Sequence, residues 1–141
     1  LKGRVSIKST AQNGTFNLNW LQHGEVYDLR LSTSLGLSIA HVKGDLDKVS
    51  IDIPKQGLYE ADNATELLFN HTGLVVPLAS LRYWVRGNPS PKIGFERDGA
   101  VLKQSGWEVT YGDIKEGLPV RMTLTRSEVR IILLIHDWQD K

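Results

Sequence analysis

Apolar and polar residues alternate with a period of two through much of the N-terminal half of the chain. Val5 and Ile7 share one face, followed by Phe16, Leu18 and Trp20, then Tyr27, Leu29 and Leu31, then Val49, Ile51 and Ile53. The intervening residues are mostly Lys, Asn, Asp, Arg and Ser, so each run predicts a strand with one dry and one wet face. Turn residues separate the runs. Asn13-Gly14 is the strongest two-residue hairpin signal, because both positions of the favoured turn need φ > 0. His23-Gly24, Gly44-Asp45 and Asp98-Gly99 predict further turns. Short strands joined by short turns make an antiparallel meander, which tends to curl and close on itself.

The period then changes. Asn63 followed by Glu66 is a capping-box signature, with Ala64, Leu67 and Leu68 on one helical face and Gly73 suited to the C-terminus. Pro77 fits the first position of a second helix, in which Leu78, Leu81, Trp84 and Val85 fall on one stripe. Gly87, Pro89 and Pro91 stop it. Strands resume at Ala100–Gln104, Trp107–Tyr111, Val120–Thr125 and Val129–Trp138. In the last, Val129, Ile131, Leu133 and Ile135 alternate with Ile132 and Leu134, so both faces are apolar and a cover on both sides, by the helices, is expected. No repeat, linker or low-complexity tract interrupts the chain, and residues 1–141 are read as a single domain.

Composition narrows the function. Lys and Arg number 17 against 16 Asp and Glu, with no basic stripe, so a nucleic-acid partner has no electrostatic footprint. The longest apolar run, Ile131–Ile135, is far short of the roughly 18 residues that a spanning helix needs. Leu1 is not a start methionine and Leu1–Ser9 already reads as strand, so a targeting signal or anchor is expected in a preceding segment. Cysteine is absent, which removes disulfides, thiol nucleophiles and Cys-based metal sites. The Asn-x-Thr triplets at Asn13, Asn63 and Asn70 are of a kind that is common by chance.

Catalytic constellations are missing. There is no Gly-x-Ser-x-Gly, Walker loop, His-Glu-x-x-His or Gly-x-Gly-x-x-Gly. His23, His41, His71 and His136 have no further His or carboxylate at a recognised ligand spacing and read as surface or core histidines. No catalytic residue, metal site or cofactor is assigned, and the chain is read as a non-enzyme.

Attention passes to the apolar faces. Trp20, Trp84, Trp107 and Trp138 are spread over three strands and a helix. They could fill an ordinary core, or line an apolar pocket enclosed by a curled sheet and a helical cover; periodicity alone does not separate a filled barrel from a hollow one. The segment Val75-Val76-Pro77-Leu78-Ala79-Ser80-Leu81-Arg82-Tyr83-Trp84-Val85-Arg86-Gly87-Asn88-Pro89 resembles the LolB family's Pro-Leu, Leu-Arg-x-Trp and Gly-x-Pro motif. Leu29-Arg30-Leu31-Ser32-Thr33-Ser34-Leu35-Gly36 resembles that family's strand leading into a Pro-Leu-Gly loop. Gly106-Trp107-Glu108-Val109-Thr110-Tyr111 and Asp137-Trp138 match it in order and spacing, so the likeness covers essentially the whole chain.

The resemblance implies a mainly β fold, a half-open antiparallel β-barrel with a small helical lid. It also implies a cavity that receives lipoprotein acyl chains from a LolA-type periplasmic carrier and inserts the lipoprotein into the inner leaflet of the bacterial outer membrane. With the alternation, it predicts that Trp20, Trp84 and Trp107 line the cavity, with Leu29, Leu81, Ile131 and Leu133 nearby. Leu35 breaks the rule that hairpin tips are polar. By resemblance it is the exposed membrane-insertion leucine, with Leu37 as a competing candidate. The family's receptor is a lipoprotein anchored at the periplasmic face through an N-terminal lipidated cysteine, which this chain lacks; a monomer is expected. Ser34 stands where proline is usual, which predicts a less rigid loop. Three rival readings stay open: a LolA-like soluble carrier, a lipocalin-like binder of small apolar ligands, and a hydrolase on a small barrel.

Overall fold

A computed structural model describes residues 1–9, 13–45, 48–72 and 76–138. The chain divides into two compact units. Strands β1 (Lys2–Lys8) and β2 (Asn13–His23) each contribute to both.

The first unit holds Leu1–Gly3, Phe16–Ala79 and the chain's end from Asp137. After the Phe16–His23 part of β2 come β3 (Val26–Ser32), β4 (Ser38–Gly44), β5 (Val49–Ile53) and β6 (Gly57–Ala61), paired antiparallel in chain order. Cross-strand register turns the alternation into a continuous face. Trp20 is opposite Leu29, Leu29 opposite Val42, and Val42 opposite Ile51. All of them are buried. The neighbouring row of Asp28, Lys43, Ser50 and Glu60 points the other way, to water. Burying an aliphatic side chain of this size stabilises by about 1.5–3 kcal/mol, which is why a one-residue slip of register is strongly disfavoured. Helix α1 (Ala64–Thr72) packs Leu67 and Leu68 onto β5 and β6. Its start is the predicted one, with the Glu66 N–H donating to Asn63 Oδ1 at 3.1 Å. Gly73, expected at its end, lies outside the described residues.

The second unit holds Arg4–Thr15 and Ser80–His136. It takes all but the first two residues of helix α2 (Leu78–Trp84), then β7 (Phe95–Asp98), β8 (Val101–Gln104), β9 (Trp107–Tyr111), the short pair β10 (Ile114–Lys115) and β11 (Leu118–Pro119), β12 (Arg121–Arg126) and nearly all of β13 (Val129–Asp137). The antiparallel order is β13-β12-β9-β8-β7. Ile131, Leu124, Val109 and Leu102 form one buried row, and Leu133, Met122 and Tyr111 another. Ser105 and Gly106 both have positive φ, 54° and 81°, in the two-residue turn between β8 and β9. That is the twist a tight hairpin requires.

The large sheet does not close on itself: β6 in the first unit and β7 in the second are its end strands, each with one neighbour. The protein is therefore mainly β, with an open antiparallel sheet and, among the described residues, two short helices. Asn13 and Gly14 are not the turn that their dipeptide predicts. They are extended at the start of β2, where pairing overrides the local preference. The second face of β13 is half-buried, not sealed, because Ile132 and Leu134 lie opposite the polar Thr123 and Arg121.

Candidate functional site

Every residue predicted for the cavity is buried: Trp20 4%, Leu29 0%, Leu81 4%, Trp84 0%, Trp107 3%, Ile131 2% and Leu133 1% exposed. Trp20 and Leu29 belong to the first unit and are direct cross-strand partners. The other five belong to the second. There Ile131 and Leu133 share the buried face of β13, Leu81 and Trp84 lie one turn apart on α2, and Trp107 lies opposite Gln104. One wall of an open concavity of about 540 Å³ includes Trp107 and Phe95.

The C-terminal end of α2 is held by a polar clamp built around Gln104. The Trp84 Nε1–H donates to Gln104 Oε1 at 2.8 Å, and the Ser90 N–H donates to the same oxygen at 2.8 Å. Gln104 Nε2 donates to the carbonyls of Ser90 and Ile93, each at 3.0 Å. An amide side chain has two donor hydrogens and two lone pairs, and all are used. From the other side the Tyr111 hydroxyl donates to the Trp84 carbonyl at 2.6 Å. Burial pushes the Tyr111 hydroxyl up to about 12, against the opposing pull of the Arg97 guanidinium. It is thus a permanent donor under ordinary conditions. Arg97 lies over the Tyr111 ring, 5.7 Å from its centroid, and donates to the Gly87 carbonyl at 2.7 Å.

The helix end explains the Trp-Val-Arg-Gly-Asn-Pro run. Asn88 N–H donates to the Tyr83 carbonyl and Gly87 N–H to the Trp84 carbonyl, with Gly87 at φ 84°. This is the Schellman arrangement, which needs a left-handed residue at that point. Gln104 and Tyr111 were missed as functional positions by sequence reasoning. A signal existed for the first: Gln104 is in phase with buried Leu102, so a polar side chain points where an apolar one is expected.

At the β3–β4 turn the structure places Leu35 88% and Leu37 66% exposed. Three hydrogen bonds close the loop. Thr33 N–H donates to the Leu37 carbonyl at 2.8 Å, Gly36 N–H to the Thr33 carbonyl at 2.9 Å, and Leu37 N–H to Thr33 Oγ1 at 3.1 Å. Gly36 takes φ 88°, which favours glycine. The hydrophobic tip is therefore displayed on a small fixed turn.

On the wet face of β3 and β4, His41 Nε2 lies 2.7 Å from Asp28 Oδ1, and Arg30 lies 3.6 Å from the same oxygen. The Arg30–Asp28 pair, with its guanidinium exposed, contributes little to stability. Among the described residues no cluster of three potential metal-binding side chains occurs, and no helix is long and apolar enough to cross a membrane.

The family model of the outer membrane lipoprotein LolB matches residues 1–138. The Outer-membrane lipoprotein LolB of Pseudomonas savastanoi pv. phaseolicola is 36% identical, over 100% of this chain and 74% of that protein. The protein of the same name from Pseudomonas fluorescens is 34% identical over 98% and 72%, and that from Pseudomonas aeruginosa 34% identical over 100% and 74%.

Proposed function

The chain belongs to the LolB family of outer membrane lipoproteins, and we propose that it receives lipoproteins by their acyl chains and inserts them into the bacterial outer membrane. On this reading residues 1–141 act as one lipoprotein-binding domain at the periplasmic face of that membrane. The buried faces that carry Trp20, Leu29, Leu81, Trp84, Trp107, Ile131 and Leu133 take the acyl chains. Binding follows from elementary energetics, since each CH₂ removed from water contributes about 0.8 kcal/mol and no polar code is needed. The site then reads the lipid and ignores the protein attached to it. A LolA-type periplasmic carrier supplies the cargo, the protein acts as a monomer, and no bond is made or broken.

The observation that supports insertion is Leu35, 88% exposed on a turn closed by three hydrogen bonds. A large aliphatic side chain displayed to solvent on a fixed tip is suited to enter the apolar edge of a bilayer. Leu37, 66% exposed, stands two positions along. Purified protein loaded with an acylated lipoprotein should deliver it to outer-membrane vesicles, and Leu35→Glu should bind the cargo normally but deliver it poorly. Equal delivery by both would remove Leu35 from the mechanism. Failure of the parent to bind acylated cargo at all would overturn the whole reading.

A further inference from the structure

Two tryptophans that are equally hidden from solvent meet opposite fates. Trp84, 0% exposed, gives its indole N–H to Gln104. Trp20, 4% exposed, has an indole N–H that is shut off from solvent and has no hydrogen-bond partner among the described residues. Buried donors are almost always paired, because leaving one unmade forfeits its hydration with nothing in return. An unpaired one at the centre of an apolar face calls for a reason.

Its surroundings on the sheet are largely apolar. Leu18 is in phase with Trp20 on β2, Leu29 lies directly opposite on β3, and Val42 and Ile51 continue the row on β4 and β5. The Tyr27 ring lies tilted to the indole at 6.3 Å. Most polar side chains of these strands alternate to the other face, among them Asn19, whose buried Oδ1 is likewise unpaired among the described residues. Of those in phase with Trp20, Gln22 is turned to the Gly24 carbonyl and Tyr27 presents its ring to the indole. The face thus holds an unpaired indole donor among largely apolar side chains. A ligand that suits it has a long apolar body and a single neutral acceptor. An alcohol or an amine brings donors that would go unpaired, and a carboxylate would bring a charge that is costly to bury.

We propose that Trp20 is the polar anchor of the acyl site, its indole N–H donating to the carbonyl oxygen at the head of an ester-linked acyl chain. This rests on the reading that the buried faces receive acyl chains. It adds that the protein distinguishes an acyl chain from an alkyl chain of the same length. Each acyl group carries its carbonyl at the junction of chain and cargo, so the hydrogen bond also sets how deep the chain sits.

The test compares two peptides, one with ester-linked chains and its twin with ether-linked chains of equal length. With the parent protein the ester twin should bind about five- to tenfold tighter, the worth of one net hydrogen bond. Trp20→Phe should bind both twins alike. In a spectrum of ¹⁵N-labelled tryptophan indoles, the Trp20 proton should move downfield with the ester twin and stay with the ether twin. Should Trp20→Phe fail to fold, the parent's ester-to-ether ratio and its indole shift still decide. Equal affinity of the parent for both twins, or a preference that survives in Trp20→Phe, overturns the anchor and leaves acyl binding standing. Failure of both twins to bind the parent overturns acyl binding itself, and the anchor with it.

Discussion

Gln104→Leu isolates the clamp at the end of α2. Leucine nearly matches glutamine in volume, so packing on the buried face of β8 is kept while four hydrogen bonds are removed. The two stranded donors, Trp84 Nε1 and the Ser90 N–H, dominate the cost. A buried donor left without a partner loses about 1–3 kcal/mol, so the pair predicts a destabilisation of about 2–5 kcal/mol. The Ser90 and Ile93 carbonyls add less, since a carbonyl tolerates an unused lone pair better than a donor tolerates isolation. Against the 5–15 kcal/mol typical of a whole domain this is a large share, and at about 3 °C per kcal/mol it lowers the melting temperature by about 6–15 °C. Urea unfolding followed by tryptophan fluorescence and by circular dichroism measures it directly. The midpoint should fall with little change of slope, since the same surface is exposed on unfolding. Trp84→Phe provides the cross-check. It removes one stranded donor, so Gln104→Leu should cost less in that background by about 1–2 kcal/mol. A loss below about 1 kcal/mol in the parent background, or strict additivity of the two changes, would refute the clamp.

Trp84→Ala removes a fully buried indole and should cost about 3–5 kcal/mol; an unchanged melting temperature would show that α2 is peripheral. At Gly44 an added methyl would lie 2.6 Å from Tyr27 Oη and 2.7 Å from its Cζ, and the buried ring has little room to retreat. Gly44→Ala should therefore cost about 1–3 kcal/mol in chemical unfolding, and a neutral result would place the ring elsewhere. Tyr111 ionises at about 12 in the folded chain and near 10.0 when unfolded, so its contribution is complete below pH 10 and is lost as pH rises toward 12. Tyr111→Phe should lower stability at neutral pH and flatten that alkaline decline, which unfolding titrations from pH 8 to 12 can follow. Leu35→Glu lies on an exposed turn and should alter stability by no more than about 0.5 kcal/mol; a larger loss would mean that Leu35 packs against the sheet.

Much of this fold was legible because its strands bury one face. Period-two patterning located Tyr27, Leu29 and Leu31 on β3 and marked β9 at its observed ends, Trp107 and Tyr111. Asn63 and Gly87 announced a helix start and a helix stop, since capping is chemistry of a few adjacent residues. The segments that were missed lack that signature. Every residue of β7 is exposed, and β6 has no buried residue, so neither shows alternation. Such end strands are extended because a neighbour offers them a ladder of backbone hydrogen bonds, and that offer is not written in their own side chains. Asn13-Gly14 failed in the opposite sense: a strong local turn preference gave way to pairing along β2.

The site divides in the same manner. Burial of Trp20, Trp84, Leu29, Leu81, Ile131 and Leu133 follows from hydrophobic phase, and the polar-rule violation at Leu35 is visible in one line of sequence. The fate of each indole N–H is not. Trp20 and Trp84 are the same residue with nearly the same burial, yet Trp84 finds Gln104, 20 positions away, and Trp20 finds no partner among the described residues. Hydrophobic burial is non-directional and sums over area, so a linear pattern can carry it. A hydrogen bond needs a particular atom within about 3 Å and in line, and only the folded chain decides which distant side chain arrives there.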